Sequence, residues 1–180
     1  MENDFIEKNV RTRLIVAGIN ELEERGIRDF SLRRAALRAE VSCAAPYRHF
    51  KDKDEFISEI IKYISSKWML LCHEVEKVFS SDKRRLIIEL AVANLRFWLA
   101  NANYRTVLMT VSTSSGDVLS DFDSPLINSV REWCAETGED AETKIFTVRA
   151  LLYGAVMMTS SDALRSEVPS LLRRELLEVF

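Results

Sequence analysis

The spacing of hydrophobic residues predicts a chain built from helices. In residues 5–25 the apolar positions return at steps of three and four residues with charged residues between them, as an amphipathic helix requires, and Gly26 is a typical residue to end it. A second helix is predicted after Ser31, a favourable N-cap residue, and it stops near Arg38. This part of the sequence therefore predicts a longer and a shorter helix joined by a brief connection.

A third helix is predicted after a short turn, from Ser42 to about His49. Its position places Tyr47 and Phe50 against the first two helices. Pro46 lacks a backbone N–H and is tolerated only in the first turn of a helix, where that N–H would have no partner. The proline therefore indicates that this helix is short.

The fourth helix is predicted to be long. Asp52 and Glu55 have the spacing of a capping box, in which each side chain accepts a hydrogen bond from a backbone N–H near the helix start. An apolar stripe with a period of about 3.6 residues follows. Its members are Phe56, Ile60, Ile64, Trp68, Leu71, Val75 and Val78. A helix of this length is able to bridge two domains.

The C-terminal half continues with helical patterns and no strand pattern. Asp82 is a predicted N-cap, residues 112–116 are a loop by composition, and Ser124-Pro125 is typical of a helix start. Gly138 is expected to end the helix that starts there. Helices are predicted over residues 86–100, 104–111, 124–137, 140–158 and 166–180. The fold class is therefore all-α, with about nine helices in total.

Composition narrows the class of protein. The formal net charge is −3, which argues against a protein that coats nucleic acid along its whole surface. The cysteines, Cys43, Cys72 and Cys134, are widely spaced without a CxxC pair, so neither a disulfide framework nor a metal site is predicted. The N-terminus is acidic, and no apolar run approaches the roughly 18 residues of a membrane span. We expect a cytoplasmic protein that needs no cofactor and no membrane.

Positive charge is concentrated in one segment. Residues 27–53 contain seven basic and three acidic residues, a local excess of four. The segment coincides with two short helices joined by a turn, the geometry that places a second helix in the major groove of DNA. Base contacts need small side chains that allow close approach, and Ser42, Cys43, Ala44 and Ala45 provide such a surface. The segment therefore predicts a helix-turn-helix.

The same residues resemble the N-terminal domain of the TetR family of transcriptional regulators. The resemblance is carried by SLRRAALRAEVS at residues 31–42 and APYRHFKDKDEF at residues 45–56, within a match over residues 13–60. Tyr-x-His-Phe-x-x-Lys is its most specific part, and Ala-Pro-Tyr-Arg-His-Phe resembles one subgroup. Two positions depart from the pattern, because Glu40 replaces the usual turn glycine and Ala35 replaces a larger aliphatic residue. A glutamate there puts a left-handed backbone in doubt.

The resemblance implies roles for individual residues. Tyr47 and Lys53 match a pair that holds the DNA backbone without reading the sequence. Arg48 and the small side chains that precede it lie nearest the bases, whereas Ser31 and Arg33 lie near the flanking phosphate. The complete predicted DNA-binding set is Ser31, Arg33, Ser42, Cys43, Ala44, Ala45, Tyr47, Arg48, His49 and Lys53.

Structural alternatives stand beside these roles. Tyr47 could be a packed aromatic residue that holds the third helix, and the arginines of the second helix could form a solvated face. For His49, a packed or capping imidazole is a better reading than a metal or catalytic role, because no second histidine lies nearby in the sequence. These alternatives differ in the exposure that each side chain would show.

The C-terminal half is rich in large, adaptable side chains that suit a pocket for a small apolar or aromatic effector. The alternative is ordinary core packing. The predicted effector-binding residues are Trp68, Phe97, Trp98, Tyr104, Met109, Trp133, Tyr153 and Met157.

Small residues near the C-terminus predict a dimer. Gly154 with Ala150 and Ala155 would let two helices approach closely, so residues 143–158 and the final helix are placed at a two-fold, four-helix interface. A symmetric dimer predicts a near-palindromic operator with half-sites about 34–36 Å apart.

The predicted protein is a DNA-binding repressor released by an effector and not an enzyme. Residues 1–52 would form the DNA-binding domain and residues 53–180 the effector-binding and dimerisation domain. The alternative is an all-α enzyme or small-molecule carrier whose basic N-terminus is incidental, although no catalytic motif in the sequence favours it.

Overall fold

The computed structural model describes residues 2–115, 118–158 and 166–180, and over these ranges it contains nine α-helices and no strand. The predicted all-α fold class is therefore confirmed. Gly116 of the predicted loop lies outside the described residues. The helices are α1 (Glu2–Arg25), α2 (Leu32–Arg38), α3 (Pro46–His49), α4 (Lys53–Phe79), α5 (Lys83–Ala100), α6 (Ala102–Ser115), α7 (Val118–Thr137), α8 (Ala141–Met158) and α9 (Val168–Val179).

The chain forms two compact units. Unit 1 comprises Met1–Ser66 and Asn103–Leu119, and unit 2 comprises Lys67–Ala102 and Ser120–Phe180. Helix α4 is continuous through the point at which the first unit ends and the second begins. The predicted functional boundary between residues 52 and 53 stays a prediction, because compact units reflect packing and not the assignment of a function.

The core of unit 1 forms where the apolar stripe of α1 meets α2 and the start of α4. Leu14, Ile19 and Leu22 are buried on α1, and the Phe50 and Phe56 rings meet edge to face with centroids 4.3 Å apart. On α2 the buried residues are Leu32, Ala35 and Ala36. Apolar burial of this kind supplies most of the stability of short helices that would not form alone.

Glu40 adopts the left-handed conformation that a glycine would take more easily. Its φ is +55°, and the N–H groups of Glu40 and Val41 donate to the carbonyls of Leu37 and Ala36. These two bonds form a Schellman motif, which satisfies carbonyls left open at the end of α2. Arg13 of α1 also donates to the Ala39 carbonyl and lies 3.6 Å from the Glu40 carboxylate. The glutamate that put a left-handed backbone in doubt is held in it by these contacts.

Helix α3 is shorter than predicted because of Pro46. A continuous α-helix from Ser42 would need the Ser42 carbonyl to accept a hydrogen bond from residue 46, and proline has no N–H to donate. The Ser42 carbonyl instead accepts from Ala45 at 2.9 Å, which forms a tight turn, and α3 begins at Pro46 itself. The predicted packing of Tyr47 is wrong, since its side chain is 65% exposed, whereas Phe50 is buried as predicted.

The predicted capping box at the start of α4 is confirmed. The Glu55 N–H donates to the Asp52 carboxylate at 2.8 Å, and the Glu55 carboxylate reaches back to accept from the Lys51 N–H. The predicted apolar stripe of α4 is buried from Phe56 to Trp68. Beyond Trp68 the prediction is wrong, because Leu71 and Val78 are exposed. Burial continues instead through Cys72, which is one turn beyond Trp68.

Unit 2 is built around α5, which packs against α8 and α9. The predicted N-cap Asp82 is confirmed, because it accepts from the Arg85 N–H at 2.9 Å. Asp140 caps α8 in the same way, accepting from the Thr143 N–H at 2.9 Å. Gly138 ends α7 with a φ of +78°, a conformation that glycine adopts without steric cost.

Two predicted boundaries are wrong. Helix α7 begins at Val118, so Pro125 lies inside the helix instead of at its start, and the Ser129 hydroxyl donates to the Pro125 carbonyl at 3.0 Å. Helix α6 continues to Ser115 through the predicted loop. Local turn residues did not decide where these helices begin and end, and helix ends are the least certain part of a sequence-based prediction.

Candidate nucleic-acid interface

The predicted DNA-contacting surface is formed by the turn before α3 and by α3 itself. Ser42, Cys43 and Ala44 are exposed, and Tyr47 and Arg48 are exposed on α3. Ala45 differs, since its side chain is buried and anchors the turn. The structure thus brings together small side chains and an exposed phenol and guanidinium on one segment. Such a surface can approach base edges while a neighbouring group bonds to phosphate.

Arg34 and Arg38 of α2 are held by acidic residues of α1. Arg34 Nε lies 2.5 Å from a carboxylate oxygen of Glu21, whose side chain is only 1% exposed. Arg38 forms two hydrogen bonds with the Glu24 carboxylate at 2.6 and 2.7 Å, and this pairing lowers the pKa of Glu24 below its ordinary value. A paired Arg–carboxylate fork fixes the orientation of both side chains. These two arginines therefore position α2 and are not free for phosphate.

Other basic residues of the segment keep their charge available. Within the described part of the chain, Arg33, Arg48 and Lys51 form no ion pair, and all three are exposed. Arg33 is on α2, Arg48 is on α3 and Lys51 follows α3. These residues therefore carry the local positive excess at the surface, where they are available to bind a polyanion.

The helices α1, α2 and α3 and the start of α4 are called the head. Three predicted DNA-binding residues contact other residues of the head, namely Lys53, Ser31 and His49. Lys53 Nζ donates to the Arg28 carbonyl at 3.2 Å and lies 6.0 Å from the centre of the Phe30 ring. The Ser31 hydroxyl accepts from the Arg34 N–H at the start of α2. The half-buried His49 imidazole lies 6.1 Å from the Phe50 ring, which agrees with the packed alternative.

The predicted effector-binding residues are divided between the two units. Trp68, Phe97 and Trp98 form a buried aromatic cluster in unit 2 together with Phe122, and the Trp68 indole N–H donates to the Phe122 carbonyl at 2.8 Å. The ring centroids of Trp98 and Phe122 lie 4.4 Å apart. The sequence did not identify Phe122, although it lies close to Ser124-Pro125, the predicted helix start.

The remaining predicted residues lie apart from this cluster. Tyr104 and Met109 belong to unit 1. Burial is the main cause that raises the pKa of Tyr104, and the neighbouring Tyr63 side chain raises it further. Trp133 packs edge to face on Phe180, with centroids 5.0 Å apart. Met157 is exposed on α8.

Unit 2 also buries polar groups. The Asp123 carboxylate is buried, accepts a hydrogen bond from the Tyr153 hydroxyl, and lies 3.8 Å from Arg149 Nε. Asn94 is fully buried on α5. The sequence pattern pointed to neither Asp123 nor Asn94 as a buried polar residue. A signal for Asn94 existed, because it is the one amide in residues 86–100, where the other polar residues are the charged Glu89 and Arg96.

The cysteines differ in exposure. Cys43 is exposed beside α3, whereas Cys72 and Cys134 are buried, and burial raises the pKa of the Cys72 thiol to about 12. In the described residues no three His, Cys, Asp or Glu side chains are grouped so that they could hold a metal ion.

A family model matches the head. Residues 14–60 match the model described as "Bacterial regulatory proteins, tetR family", so this segment is a TetR-family N-terminal domain. The resemblance to the family is thereby confirmed for these residues, and the assignment to a subgroup stays a prediction. No curated protein matches the chain in sequence.

Solved structures of bacterial regulators share the fold over most of their length. A transcriptional regulator from Rhodococcus sp. Rha1 is 22% identical with a TM-score of 0.70, covering 94% of this chain and 95% of that chain. FadR from Bacillus subtilis, solved in complex with stearoyl-CoA, is 13% identical with a TM-score of 0.71, covering 93% and 96%. A TerR/AcrR-family regulator from Aquifex aeolicus VF5 is 20% identical with a TM-score of 0.68, covering 95% and 99%.

These likenesses establish the fold. The chain has a TetR-like arrangement of an N-terminal helix-turn-helix followed by a C-terminal helical domain. None of the helices in the described ranges combines the length and the apolar character needed to cross a membrane.

Proposed function

We propose that this protein is a transcriptional repressor that binds a near-palindromic DNA operator as a homodimer in the cytoplasm and leaves it when a small effector binds. The observation that carries the proposal is the exposure of Ser42, Cys43, Ala44 and Tyr47 beside the unpaired Arg48, all inside the segment that matches the TetR-family model. The acids of α1 neutralise Arg34 and Arg38, so the charge that remains for phosphate is concentrated on and around α3. The proposed activity is binding and not catalysis.

The first test compares two positive residues with different proposed roles. Arg48→Ala is expected to reduce the preference for the operator over unrelated duplex by about 1–3 kcal/mol, because a guanidinium on a base edge carries sequence information. Lys53→Ala is expected to weaken binding to all duplexes alike and to flatten the salt dependence by about one unit of log–log slope. Fluorescence anisotropy with labelled duplexes over a salt series measures both effects.

A matched control is Arg131→Ala, which removes one exposed arginine from α7 in unit 2. Its operator affinity and salt slope should equal those of the wild type. Unchanged discrimination in the Arg48 variant would assign that residue to the phosphate backbone. A wild-type protein that prefers no duplex over random competitor at moderate salt would refute the proposed function.

The proposed dimer rests on apolar surface presented by α8 and α9. Phe146, Met157, Met158 and Leu177 are exposed there, and the Phe146 side chain is 73% exposed. Between the two helices lies an apolar groove of about 310 Å³ that includes Gly154. Exposed apolar side chains on two neighbouring helices favour an interaction site, and a second copy with the same surface fits the two-fold operator.

The dimer proposal predicts the effect of a charge at Phe146. Phe146→Glu is expected to convert the protein to monomers at micromolar concentration, since two buried glutamates would face each other across a two-fold axis. Sedimentation velocity measures the change. Val78→Glu is the control, because Val78 is 70% exposed on α4 and lies outside the proposed interface. A dimer that persists in the Phe146 variant and dissociates in the control would place the interface elsewhere.

The proposed effector site is the aromatic cluster of unit 2. Trp68, Phe97, Trp98 and Phe122 offer flat apolar surface, and the related fold of Bacillus subtilis FadR was solved with stearoyl-CoA. Trp68 lies on α4, the helix that begins at Lys53. A displacement of Trp68 by an effector would therefore be transmitted along α4, and a coupling of about 1–3 kcal/mol is the usual size for such regulation.

A further inference from the structure

Asn94 is a polar side chain without a partner in the core of unit 2. It is 0% exposed, and among the described residues neither its amide nitrogen nor its carbonyl oxygen has a hydrogen-bond partner. An amide buried in this way loses its bonds to water and gains nothing in return, so it destabilises the fold. Unsatisfied buried groups are rare in folded proteins and call for an explanation.

The surroundings of Asn94 are apolar and aromatic. Leu90 and Trp98 lie one helical turn before and after it on α5, so the three side chains share one side of the helix. Trp98 contacts Phe97 edge to face, and its ring centroid is 4.4 Å from that of Phe122. The amide is therefore adjacent along α5 to the cluster that forms the proposed effector site.

We propose that Asn94 is the polar recognition group of this site, and that the effector is an uncharged, largely aromatic molecule that carries a carboxamide, a lactam or a similar paired donor and acceptor. A primary amide offers two N–H donors and an acceptor oxygen, and it is complementary to another amide. A ligand of this class satisfies both orphaned atoms of Asn94 at once, while its ring packs among the aromatic side chains. The inference rests on the proposed effector role of unit 2.

The charged groups of unit 2 favour an uncharged ligand. The buried Asp123 carboxylate already accepts a hydrogen bond from Tyr153 and lies 3.8 Å from Arg149 Nε, so it is not available to pair with a cationic ligand. An anionic ligand at Arg149 would be repelled by the same carboxylate. Leu90 and Trp98, one turn before and after Asn94 on α5, carry no charge, and Arg96 is exposed on the other side of the helix. An ion buried beside Asn94 would therefore lose its hydration without compensation.

Three probes of similar size separate the alternatives. Benzamide has the proposed amide, benzoate replaces it with a charge, and ethylbenzene removes the polar group. Isothermal titration calorimetry is expected to show that the wild type binds benzamide roughly tenfold or more tightly than either of the others, the range typical of a hydrogen-bonded pair in a buried site. Tryptophan fluorescence should change on binding, because Trp98 lies one turn from Asn94.

Two substitutions test the role of the side chain. Asn94→Leu keeps the branched shape of the side chain without its polar atoms and is expected to bind benzamide no better than ethylbenzene. The variant removes an unsatisfied amide, which offsets the cost of packing the larger leucine side chain. Asn94→Asp keeps the shape and loses the donors, so it should also lose the preference for benzamide. Thermal unfolding without ligand confirms that both variants are folded.

Two results would overturn the inference. One is that the wild type binds none of the three probes, and the other is that Asn94→Leu retains the wild-type preference for benzamide. Operator binding measured without ligand reports separately on the proposed function. Asn94-dependent binding of benzamide in a protein that prefers no duplex would leave the site standing and remove the regulatory role.

Discussion

Replacing Trp68 with alanine is expected to lower the free energy of unfolding by about 3–5 kcal/mol, the range for a large aromatic residue removed from a core. Trp68 is fully buried, its ring is stacked on Phe122 with centroids 5.3 Å apart, and its indole N–H donates to the Phe122 carbonyl at 2.8 Å. Alanine would leave a large cavity and remove the donor. Urea unfolding followed by far-ultraviolet circular dichroism measures the loss.

Two further variants separate the causes. Trp68→Phe keeps an aromatic ring and removes the indole N–H, so it should cost less, about 1–3 kcal/mol. Met69→Ala changes the neighbouring residue, whose side chain is exposed, and should change stability by no more than about 0.5 kcal/mol. A Trp68→Ala variant as stable as Met69→Ala would contradict the packing described for the aromatic cluster.

Gly18→Ala is expected to destabilise unit 1 by about 1–3 kcal/mol, although alanine is normally the better residue inside a helix. A Cβ atom at this position would lie 2.7 Å from Ile60 Cδ1 and closer still to the Phe56 ring. Both side chains are fully buried and cannot move aside freely. The steric cost therefore exceeds the gain of about 1 kcal/mol in helix propensity. Operator affinity should fall with stability, because α1 and α4 support the head.

Gly154→Ala is the matched control for this prediction. Apart from the backbone of α8 itself, no described atom lies within 4 Å of a Cβ built at Gly154, so alanine should stabilise α8 in a single chain. In the proposed dimer the same methyl group would meet the second copy. A stabilised monomer with a weakened dimer is therefore the expected pattern, and urea unfolding over a range of protein concentrations measures it. A Gly18 variant that gains stability as Gly154→Ala does would refute the close packing of α1 on α4.

The sequence predicted elements whose cause is local. Ser31, Asp52 and Asp82 start helices because their side chains accept backbone hydrogen bonds a few residues away, and the structure confirms each of them. Pro46 fixes the start of α3 for an equally local reason. The TetR-like motif was also readable, because it consists of neighbouring residues. None of these predictions required knowledge of which helices meet.

Candidate site residues were only partly predictable. The exposed surface around Cys43 and Arg48 agrees with the prediction, since small and charged residues between buried positions point outward. The division of the arginines did not follow from the sequence. All three arginines, Arg33, Arg34 and Arg38, lie on α2, and nothing in the sequence separates the paired ones from the unpaired one. Arg34 and Arg38 are paired because α1, which packs on α2, places Glu21 and Glu24 beside them.

The amino-acid sequence by itself determined the all-helical fold, the caps and the identity of the head, because helix periodicity, capping and turn chemistry act over a few residues. Tertiary structure alone decided the exposure of Tyr47, the left-handed turn at Glu40 and the isolation of Asn94. Each of these depends on which distant side chain lies opposite. Burial and pairing are properties of contacts between helices, and a linear pattern specifies the contacting faces without specifying their partners.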